Sequence, residues 1–539
     1  MRFAATSVIC LSWALSSLQH VSAAALTSRV DDQQCRKTTV AILGAGVAGI
    51  TAAQALSNQS ISDFVIIEHN SYIGGRVAHT TFGSKPDGSP YVVELGANWI
   101  QGLGSEGGPE NPIWTMGKKY NVTNTYSNYS SILTYNETGA VDFTDLLDEF
   151  EDAYAIAEQN AGYIVTDNLQ DTSVRAGFSL AGWKPKKNMA AQAVEWWEWD
   201  WETAYEPEQS GFAAGIWGYN ASFYQFSEAN NFVIDQRGFN AFVIGEANTF
   251  LKKNDSRLLL NTTVTDIKYS SDGVTVYNAD GSCVSAAYAI CTFSLGVLQN
   301  DVVTFEPELP DWKQDAIENF QMGTYTKIFM QFNETFWDTD TQFFLYADPE
   351  QRGYYPVWQS LDTEGFIPGS GIIFATVVND ESYRIEAQTV EKTTAELMEV
   401  LRDMFPDKEI PEPMDVMYPR WSLQPWAHGS YSNWPVGTTL EKHQNLRANV
   451  DRLWFAGEAN SAEYFGFLHG AWFEGRDVGQ RIAGLVGKVC TNSDAEGNTT
   501  DACGMMRNYE VLHGTTSYDE YDLENGIMVS PFVVYADDE

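Results

Sequence analysis

The stretch AILGAGVAGITAA, which spans residues 41–53, passes from an apolar run into a helix-forming run through closely spaced glycines. These glycines have the spacing G-x-G-x-x-G and are Gly44, Gly46 and Gly49. In this motif the first glycine permits a tight turn, the second lets the backbone approach a pyrophosphate, and the third lets the helix pack closely on the strand. The stretch therefore predicts a dinucleotide held at the N-terminus of a helix.

The segments on either side complete a strand–helix–strand unit. The residue pattern predicts a strand over 38–43, a helix over about 47–56 and a second strand within 63–70. Glu68 lies near the end of the second strand, where such folds place the carboxylate that binds the ribose hydroxyls. The fold class that this unit indicates is α/β, with a Rossmann-like nucleotide-binding domain.

The chain has 539 residues, 44% of them hydrophobic, which is enough for two or three domains. Strand patterns typical of the nucleotide-binding domain return in the middle and near the end, with segments of different character between them. We therefore expect interleaved domains rather than domains in series. The predicted divisions are a nucleotide-binding domain over 37–120, 232–324 and 445–490, a substrate-binding domain over 121–231 and 325–444, and an acidic tail over 491–539.

The N-terminus has the features of a secretory signal peptide over residues 1–23. Arg2 is followed by an apolar run, and the small residues before Ala23 form a cleavage site. Acceptor sites for N-glycosylation follow at Asn58, Asn121, Asn128, Asn136, Asn220, Asn254, Asn261, Asn333 and Asn498. We expect a secreted, extracellular, N-glycosylated protein without a transmembrane span.

The net charge of −40 argues against partners that are themselves polyanions, namely nucleic acids and anionic membranes. It is compatible with a cationic substrate, although secreted proteins are also acidic for solubility. No cysteine and histidine spacing indicates a metal site. The composition thus disfavours a macromolecular polyanion as a partner.

An odd number of cysteines remains once Cys10 is removed with the signal peptide. Cys291 lies in an apolar strand-like run and is expected to be a buried free thiol. Cys490 and Cys503 can pair across a short polar loop. The sequence leaves the pairing of two further residues, Cys35 and Cys283, unassigned.

Motifs further along the chain narrow the type of dinucleotide. They are, in order, IGGR (73–76), ELGANWIQG (94–102), SLGVLQ (294–299), YTKIFMQF (325–332), SNWPVG (432–437) and FAGEANSAEYFGFLHGAW (455–472). Together they resemble the flavin-dependent monoamine and polyamine oxidase family, and most of all its secreted plant-type polyamine oxidases. The resemblance covers nearly all of 38–487. It implies FAD rather than NAD, and a glutathione-reductase-type FAD domain interleaved with a substrate domain of mixed sheet and helices.

The same resemblance implies which residues contact FAD. The carboxylate of Glu458 would meet the diphosphate and ribityl groups, and the backbone of Val264 the adenine. The expected cofactor-binding residues are Gly44, Ala45, Gly46, Gly49, Glu68, Gly75, Arg76, Gly96, Ala97, Asn98, Trp99, Val264, Glu458, Gly466 and Leu468. The motif around Glu458 contains no cysteine, so we expect the flavin to be bound non-covalently.

Lys327 is the candidate catalytic residue. It interrupts an apolar strand-like run, where a lone lysine is costly unless it is paired or hydrated. The resemblance implies that it holds a water at the flavin N5 atom and assists the reaction with oxygen. The alternative is a lysine on an edge strand that faces solvent.

Aromatic residues form the candidate substrate site. The resemblance implies that Tyr431 and Phe467 hold the amine between their rings, which attract an amine by packing and by ring–nitrogen interaction. Tyr325 and Trp434 are expected to be further walls. Gln101 stands where plant-type polyamine oxidases carry a glutamate, so another carboxylate would have to pair with a distant ammonium. Glu202 and Glu206 are the candidates, although both could be solvated surface charges.

The resemblance implies a reaction in which a C–N bond of an amine or polyamine is oxidised by hydride transfer to the flavin N5 atom. Water would hydrolyse the resulting imine, and oxygen would be reduced to hydrogen peroxide. One alternative is an L-amino-acid oxidase of the same fold, in which Arg420 or Arg237 would bind the substrate carboxylate. A second is a secreted flavoprotein without turnover. The sequence does not decide the oligomeric state.

Overall fold

The computed structural model describes residues 35–167, 169–223, 226–487, 491–493, 499–501 and 508–512. The predicted signal peptide, the Cys490–Cys503 pair, the acceptor site at Asn498 and most of the acidic tail lie outside these residues.

The first large sheet has eight strands and carries the glycine motif. Its path runs through Leu258–Leu259, Phe64–Ile67, Arg36–Leu43, Cys283–Cys291, Gly273–Asn278, Val264–Ser270 and Thr304–Glu306, and Leu453–Phe455 pairs with Cys283–Cys291. The central strands are parallel, with Val40 opposite Phe64 and Leu43 opposite Ile67. These strands are almost continuously apolar because helices cover a parallel sheet on both faces.

The glycine-rich turn connects the first strand to the helix Val47–Asn58. Gly44 has a φ of +112°, which favours glycine. A Cβ atom on Gly49 would lie 2.0 Å from the carbonyl oxygen of Gly44, so only glycine lets the helix pack this closely on the strand. The strand–helix–strand unit predicted from the motif is therefore confirmed.

The helix Leu468–Gly487 packs against the helix Val47–Asn58. A Cβ atom on Gly475 would lie 2.2 Å from the carbonyl oxygen of Ala48, and one on Gly479 would lie 2.7 Å from that of Ala52. The two backbones therefore touch through glycines. This contact brings residues from the end of the FAGEANSAEYFGFLHGAW motif back to the glycine-rich turn.

The second large sheet has seven strands in the order Asp415–Met417, Tyr325–Gln331, Ile372–Val378, Val357–Ser360, Phe343–Ala347, Ile132–Asn136 and Gly139–Ala140. The amphipathic helix Val390–Met404 covers one face, and Leu397 and Leu401 are buried in the same cluster as Ile328 and Ile373. The other face of this sheet carries the side chain of Tyr325, which lines a cavity between this sheet and the first one.

A small sheet joins the two sets of segments. Its strand Asn230–Val233 pairs with Trp99–Gln101 and with Asn124–Tyr126, which fall in different predicted domains. The remaining strands are His79–Phe82, Tyr91–Glu94, Gln321–Gly323, Tyr431–Asn433, Thr491–Ser493 and Thr499–Asp501.

The remaining helices surround the two sheets. They are Pro112–Lys119, Asp145–Thr166, Val174–Leu180, Met189–Glu195, Trp201–Thr203, Phe212–Phe223, Ala241–Ala247, Leu295–Leu298, Asp311–Glu318, Asn379–Ala387 and Leu440–Arg447, with a π-helical turn at Trp196–Asp200 and 3₁₀ turns at Trp421–Leu423 and Glu458–Asn460. Among the described residues, no helix has both the length and the hydropathy needed to cross a bilayer.

Cys35 and Cys283, which the sequence left unassigned, form a disulfide across a sequence separation of 248 residues. The sheet register explains the pairing, because the next residues, Arg36 and Val284, are partners on adjacent parallel strands. Cys291, at the other end of the same strand, is a buried free thiol, as predicted.

Candidate active site

A cavity of about 480 Å³ begins where the parallel strands of the first sheet end. The predicted site residues that line it are Gly44, Gly46, Glu68, Gly75, Arg76, Gly96, Ala97, Asn98, Trp99, Gln101, Glu202, Val264, Tyr325, Tyr431, Glu458, Gly466, Phe467 and Leu468. Sequence reasoning did not single out Tyr129, Trp201 or Trp421, which also line it. The aromatic run that contains Trp201 was visible in the sequence, but nothing in it marked which ring faces the cavity.

Glu68 occupies the ribose-binding position at the end of the second strand. Its Oε2 atom accepts a hydrogen bond of 2.7 Å from the backbone N–H of Ala45, and its Oε1 atom accepts one of 2.7 Å from that of Asn70. Burial raises the pKa of Glu68, while these N–H groups lower it. Ala45 and Gly49 do not line the cavity; Ala45 orients Glu68, and Gly49 packs the helix against the turn.

Two glycine turns meet beside the N-terminus of the helix Val47–Asn58. The N–H of Gly74 donates to the carbonyl of Ala45 at 2.9 Å, and a Cβ atom on Gly75 would lie 3.2 Å from the Cα atom of Gly46. Gly75 has a φ of +58°. The contact leaves bare backbone facing the cavity at a helix N-terminus, which is the arrangement that accepts a diphosphate.

An ion pair lines the cavity next to these turns. The Nη1 atom of Arg76 donates to Glu458 Oε2 at 3.0 Å and to the carbonyl of Ser430 at 2.8 Å. The other oxygen of Glu458 accepts from the N–H groups of Ser432 at 2.7 Å and Gly466 at 3.0 Å. Arg76 and Glu458 therefore join the glycine turn to the backbone on either side of Tyr431 and to the residue before Phe467.

Aromatic rings line the other end of the cavity. The ring centroids of Tyr325 and Tyr431 are 6.0 Å apart, and Trp99 meets Trp201 edge to face at 5.7 Å. Phe467 lines the cavity too, with its ring stacked on His469. The rings form an apolar chamber suited to the carbon chain of an amine.

His469 supports Phe467 rather than taking part in chemistry. Its ring nitrogens lie 3.2 Å from Asn111 Nδ2 and 2.9 Å from Ser222 Oγ. Burial lowers the pKa of His469 to about 3, so the ring is neutral at physiological pH.

Glu202 is the carboxylate at the aromatic end of the cavity. Its Oε1 atom accepts a hydrogen bond of 2.9 Å from the amide Nε2 atom of Gln101. Burial raises the pKa of Glu202 to about 7, and the bond from Gln101 opposes that rise. The structure therefore places Gln101 and Glu202 in direct contact.

Trp434 and Glu206, which were expected to contact the substrate, do not line the cavity. Trp434 is buried in the core, where its ring stacks on His443 at 5.0 Å and contacts Phe465. Glu206 is half-buried near Arg352, whose charge opposes the rise in its pKa that burial causes. Among the carboxylates proposed to pair with a distant ammonium, Glu202 alone therefore faces the cavity.

Lys327 lies directly behind the cavity wall. Its Nζ atom donates to the carbonyl of Gly96 at 2.9 Å and to Asn98 Oδ1 at 3.0 Å, and both acceptor residues line the cavity. Burial lowers the pKa of Lys327 to about 7, while the charge of Glu94 acts in the opposite direction. The side chain is 1% exposed, and its strand lies inside the second sheet, so the alternative of a solvent-facing edge lysine is wrong.

The model of the flavin-containing amine oxidoreductase family matches residues 47–483. The chain belongs to this family. Polyamine oxidase 1 of Zea mays is 36% identical to it over 92% of this chain and 98% of that protein. Polyamine oxidase 7 of Oryza sativa subsp. japonica is 37% identical over 81% of this chain and 93% of that protein.

A solved structure of putrescine oxidase bound to putrescine shares the fold of this amine oxidoreductase. Its TM-score is 0.65 at 17% sequence identity, over 85% of this chain and all of that one. The chain is an FAD-dependent amine oxidase. The residues present fit FAD: the two glycine turns can take the diphosphate, and Glu68 the adenosine ribose.

We predict that Arg76→Met weakens FAD binding at least about 10-fold, because it leaves the buried carboxylate of Glu458 unpaired. The measurement is reconstitution of the apoprotein with FAD, followed by the return of flavin absorbance. Glu202→Gln, at the other end of the cavity, is the control and should leave the affinity for FAD unchanged. Equal affinity of Arg76→Met and the unaltered protein would contradict this assignment.

Proposed function

We propose that this amine oxidase is a secreted polyamine oxidase. The observation that carries the substrate class is Glu202, a carboxylate held by Gln101 inside an aromatic chamber. Three glutamates line the cavity within the described residues. Glu68 is held by backbone N–H groups and Glu458 is paired with Arg76, so Glu202 is the one that can pair with a cation of the substrate. The names of the plant relatives support the same class.

Each part of the cavity has a separate task in this proposal. The glycine turns, Glu68 and the Arg76–Glu458 pair would hold FAD, which would supply the two-electron oxidation of the C–H bond next to the amine nitrogen and the return of those electrons to oxygen. The rings of Tyr431 and Phe467 hold the reacting amine and exclude water, while Glu202 binds an ammonium further along the chain. Lys327, through Gly96 and Asn98, fixes the wall of the chamber and can carry a proton at Nζ near neutral pH.

The alternative of an L-amino-acid oxidase needs an arginine for the substrate carboxylate. Arg76 is the one arginine that lines the cavity in the described part of the chain, and it is paired with Glu458. Arg237 is bound to Asp235, and Arg420 donates to the carbonyls of Glu386 and Gln388. The cavity therefore offers an amino acid no free guanidinium, which favours an amine over an amino acid.

Export is supported by the disulfide between Cys35 and Cys283, because disulfides persist in oxidising compartments. Five of the predicted acceptor sites have exposed side chains: Asn58, Asn121, Asn254, Asn261 and Asn333. Asn220 is an exception, since it is 4% exposed within the helix Phe212–Phe223 and cannot carry a glycan in the folded protein.

The substrate class is tested by mixing the oxidised enzyme anaerobically with spermidine, with N-acetylspermine, with a linear monoamine and with leucine. We expect both polyamines to bleach the flavin faster than the monoamine, and leucine to leave it oxidised. Glu202→Gln should raise KM for spermidine roughly 10- to 100-fold and leave the monoamine unaffected, because a charge-assisted hydrogen bond is lost. Glu206→Gln is the matched control outside the cavity.

The same experiment has a pH dependence with a defined sign. Since the pKa of Glu202 is about 7, its side chain is a neutral carboxylic acid below that pH and a charged carboxylate above it. KM for spermidine should therefore fall as the pH rises through about 7, and this dependence should be absent in Glu202→Gln. Rapid bleaching by leucine alone would overturn the proposed function, as would a Glu202→Gln variant with unchanged KM for spermidine.

For Lys327→Met we expect slower reoxidation of the reduced flavin by oxygen. The reason is the loss of the Lys327 Nζ atom, which donates to both Gly96 and Asn98 in the chamber wall. Stopped-flow absorbance measures this step separately from anaerobic reduction by the amine, which serves as the internal control. Unchanged reoxidation kinetics would remove Lys327 from the reaction.

A further inference from the structure

The helical segment that carries Glu202 contains a π-turn. Residues Trp196–Asp200 form it between the helix Met189–Glu195 and the short helix Trp201–Thr203. The N–H of Trp201 donates to the carbonyl of Trp196, five residues back. π-turns are rare, occur mostly as single turns inside α-helices, and are frequent at functional sites. This one ends directly before Trp201 and Glu202, which both line the cavity.

The π-turn brings two buried carboxylates onto one guanidinium. Arg352 Nη2 donates to Glu195 Oε1 at 3.1 Å and to Asp200 Oδ1 at 2.7 Å, and Nη1 binds the second oxygen of Asp200. In a regular α-helix, side chains five positions apart point about 140° away from each other. The additional residue in the turn is what lets Glu195 and Asp200 share one partner.

Arg352 connects this turn to the second large sheet. Arg352 belongs to the loop that connects the strands Phe343–Ala347 and Val357–Ser360 of that sheet. The same sheet contains Tyr325. This loop packs against the π-turn, since a Cβ atom on Gly353 would lie 3.1 Å from Trp196 Nε1. The ion pairs therefore fix the helix that carries Glu202 relative to the sheet that carries Tyr325.

Lysine could not reproduce this contact. Both carboxylate side chains are 1% exposed, and burial raises the pKa of Asp200 to about 7 although Arg352 lowers it. A planar guanidinium donates to both oxygens of Asp200 and to Glu195 at once, whereas an ammonium is a point charge. Glu195 has additional partners in Arg175 and in Trp183 Nε1, so Asp200 depends most on Arg352.

We propose that Arg352 is a positioning residue for substrate selection: by clamping Glu195 and Asp200 across the π-turn, it holds Trp201 and Glu202 in the orientation that binds a second ammonium. The inference rests on the proposed function, in which Glu202 recognises a polyamine. Arg352 itself does not line the cavity and acts through the helix.

The test is the selectivity of the holoenzyme, measured as kcat/KM for spermidine divided by kcat/KM for a linear monoamine. Arg352→Lys should lower this ratio roughly 10- to 100-fold, through KM for spermidine, because small displacements of a binding group have effects of this size. Asp200→Asn, which removes the charge from the other half of the clamp, should lower it in the same way. An unchanged ratio in both variants would overturn the proposal.

The matched control is Arg384→Lys. Arg384 also binds two carboxylates, those of Glu381 and Glu396, but it does not line the cavity and both of these partners lie outside the π-turn. Its replacement should leave the ratio unchanged. In a Glu202→Gln background, Arg352→Lys should cause no further fall, since the group that it positions is absent. Equal falls in both backgrounds would show that Arg352 acts on stability alone and would overturn the proposal.

Amide exchange separates failure of this inference from failure of the proposed function. In the holoenzyme, Arg352→Lys should speed exchange in the peptide 196–204, and Arg384→Lys should not. Unchanged exchange in Arg352→Lys would overturn the clamp, whatever the substrate is. A different result is faster exchange in Arg352→Lys together with an unaltered ratio of kcat/KM values in Glu202→Gln. That result would support the clamp and overturn the polyamine assignment.

Discussion

The ion pair between Arg76 and Glu458 is the interaction on which the rest of the site depends. Arg76 follows the second glycine turn, and Glu458 receives hydrogen bonds from Ser432 and Gly466. Those two residues are the direct neighbours of Tyr431 and Phe467. One ion pair, with Glu458 buried and Arg76 partly exposed, therefore fixes the diphosphate-binding turns relative to both rings of the amine chamber. Removing Arg76 would leave the buried charge of Glu458 without its ion-pair partner, which costs far more than a surface ion pair contributes.

Cofactor binding and substrate selection use different parts of the site. The glycine turns, Glu68 and the Arg76–Glu458 pair belong to the first sheet and its connections. Gln101 and Glu202 come instead from the small joining sheet and from the helical segment around the π-turn. The amide of Gln101 donates to the carboxylate of Glu202, so this carboxylate is held in the chamber by a neutral group.

Local patterns were sufficient to predict the first strand–helix–strand unit, because it depends on residues close in sequence. The pairing of Cys35 with Cys283 was not predictable, since only the register of two distant strands brings them together. The position of Trp434 outside the cavity lining was not predictable, because packing against His443 and Phe465 decides where its ring lies. Glu202 and Glu206 could not be distinguished from the sequence. A π-turn changes which helical face a residue occupies, and no residue type predicts where a π-turn will form.

The most direct measurement of the central claim is a crystal structure of the reduced enzyme with a bound polyamine. The account predicts one nitrogen of the ligand between the rings of Tyr431 and Phe467, and a second nitrogen within hydrogen-bonding distance of the Glu202 carboxylate, with the Gln101 amide still bonded to it. A polyamine whose second nitrogen lies in solvent, or against a group other than Glu202, would contradict the account.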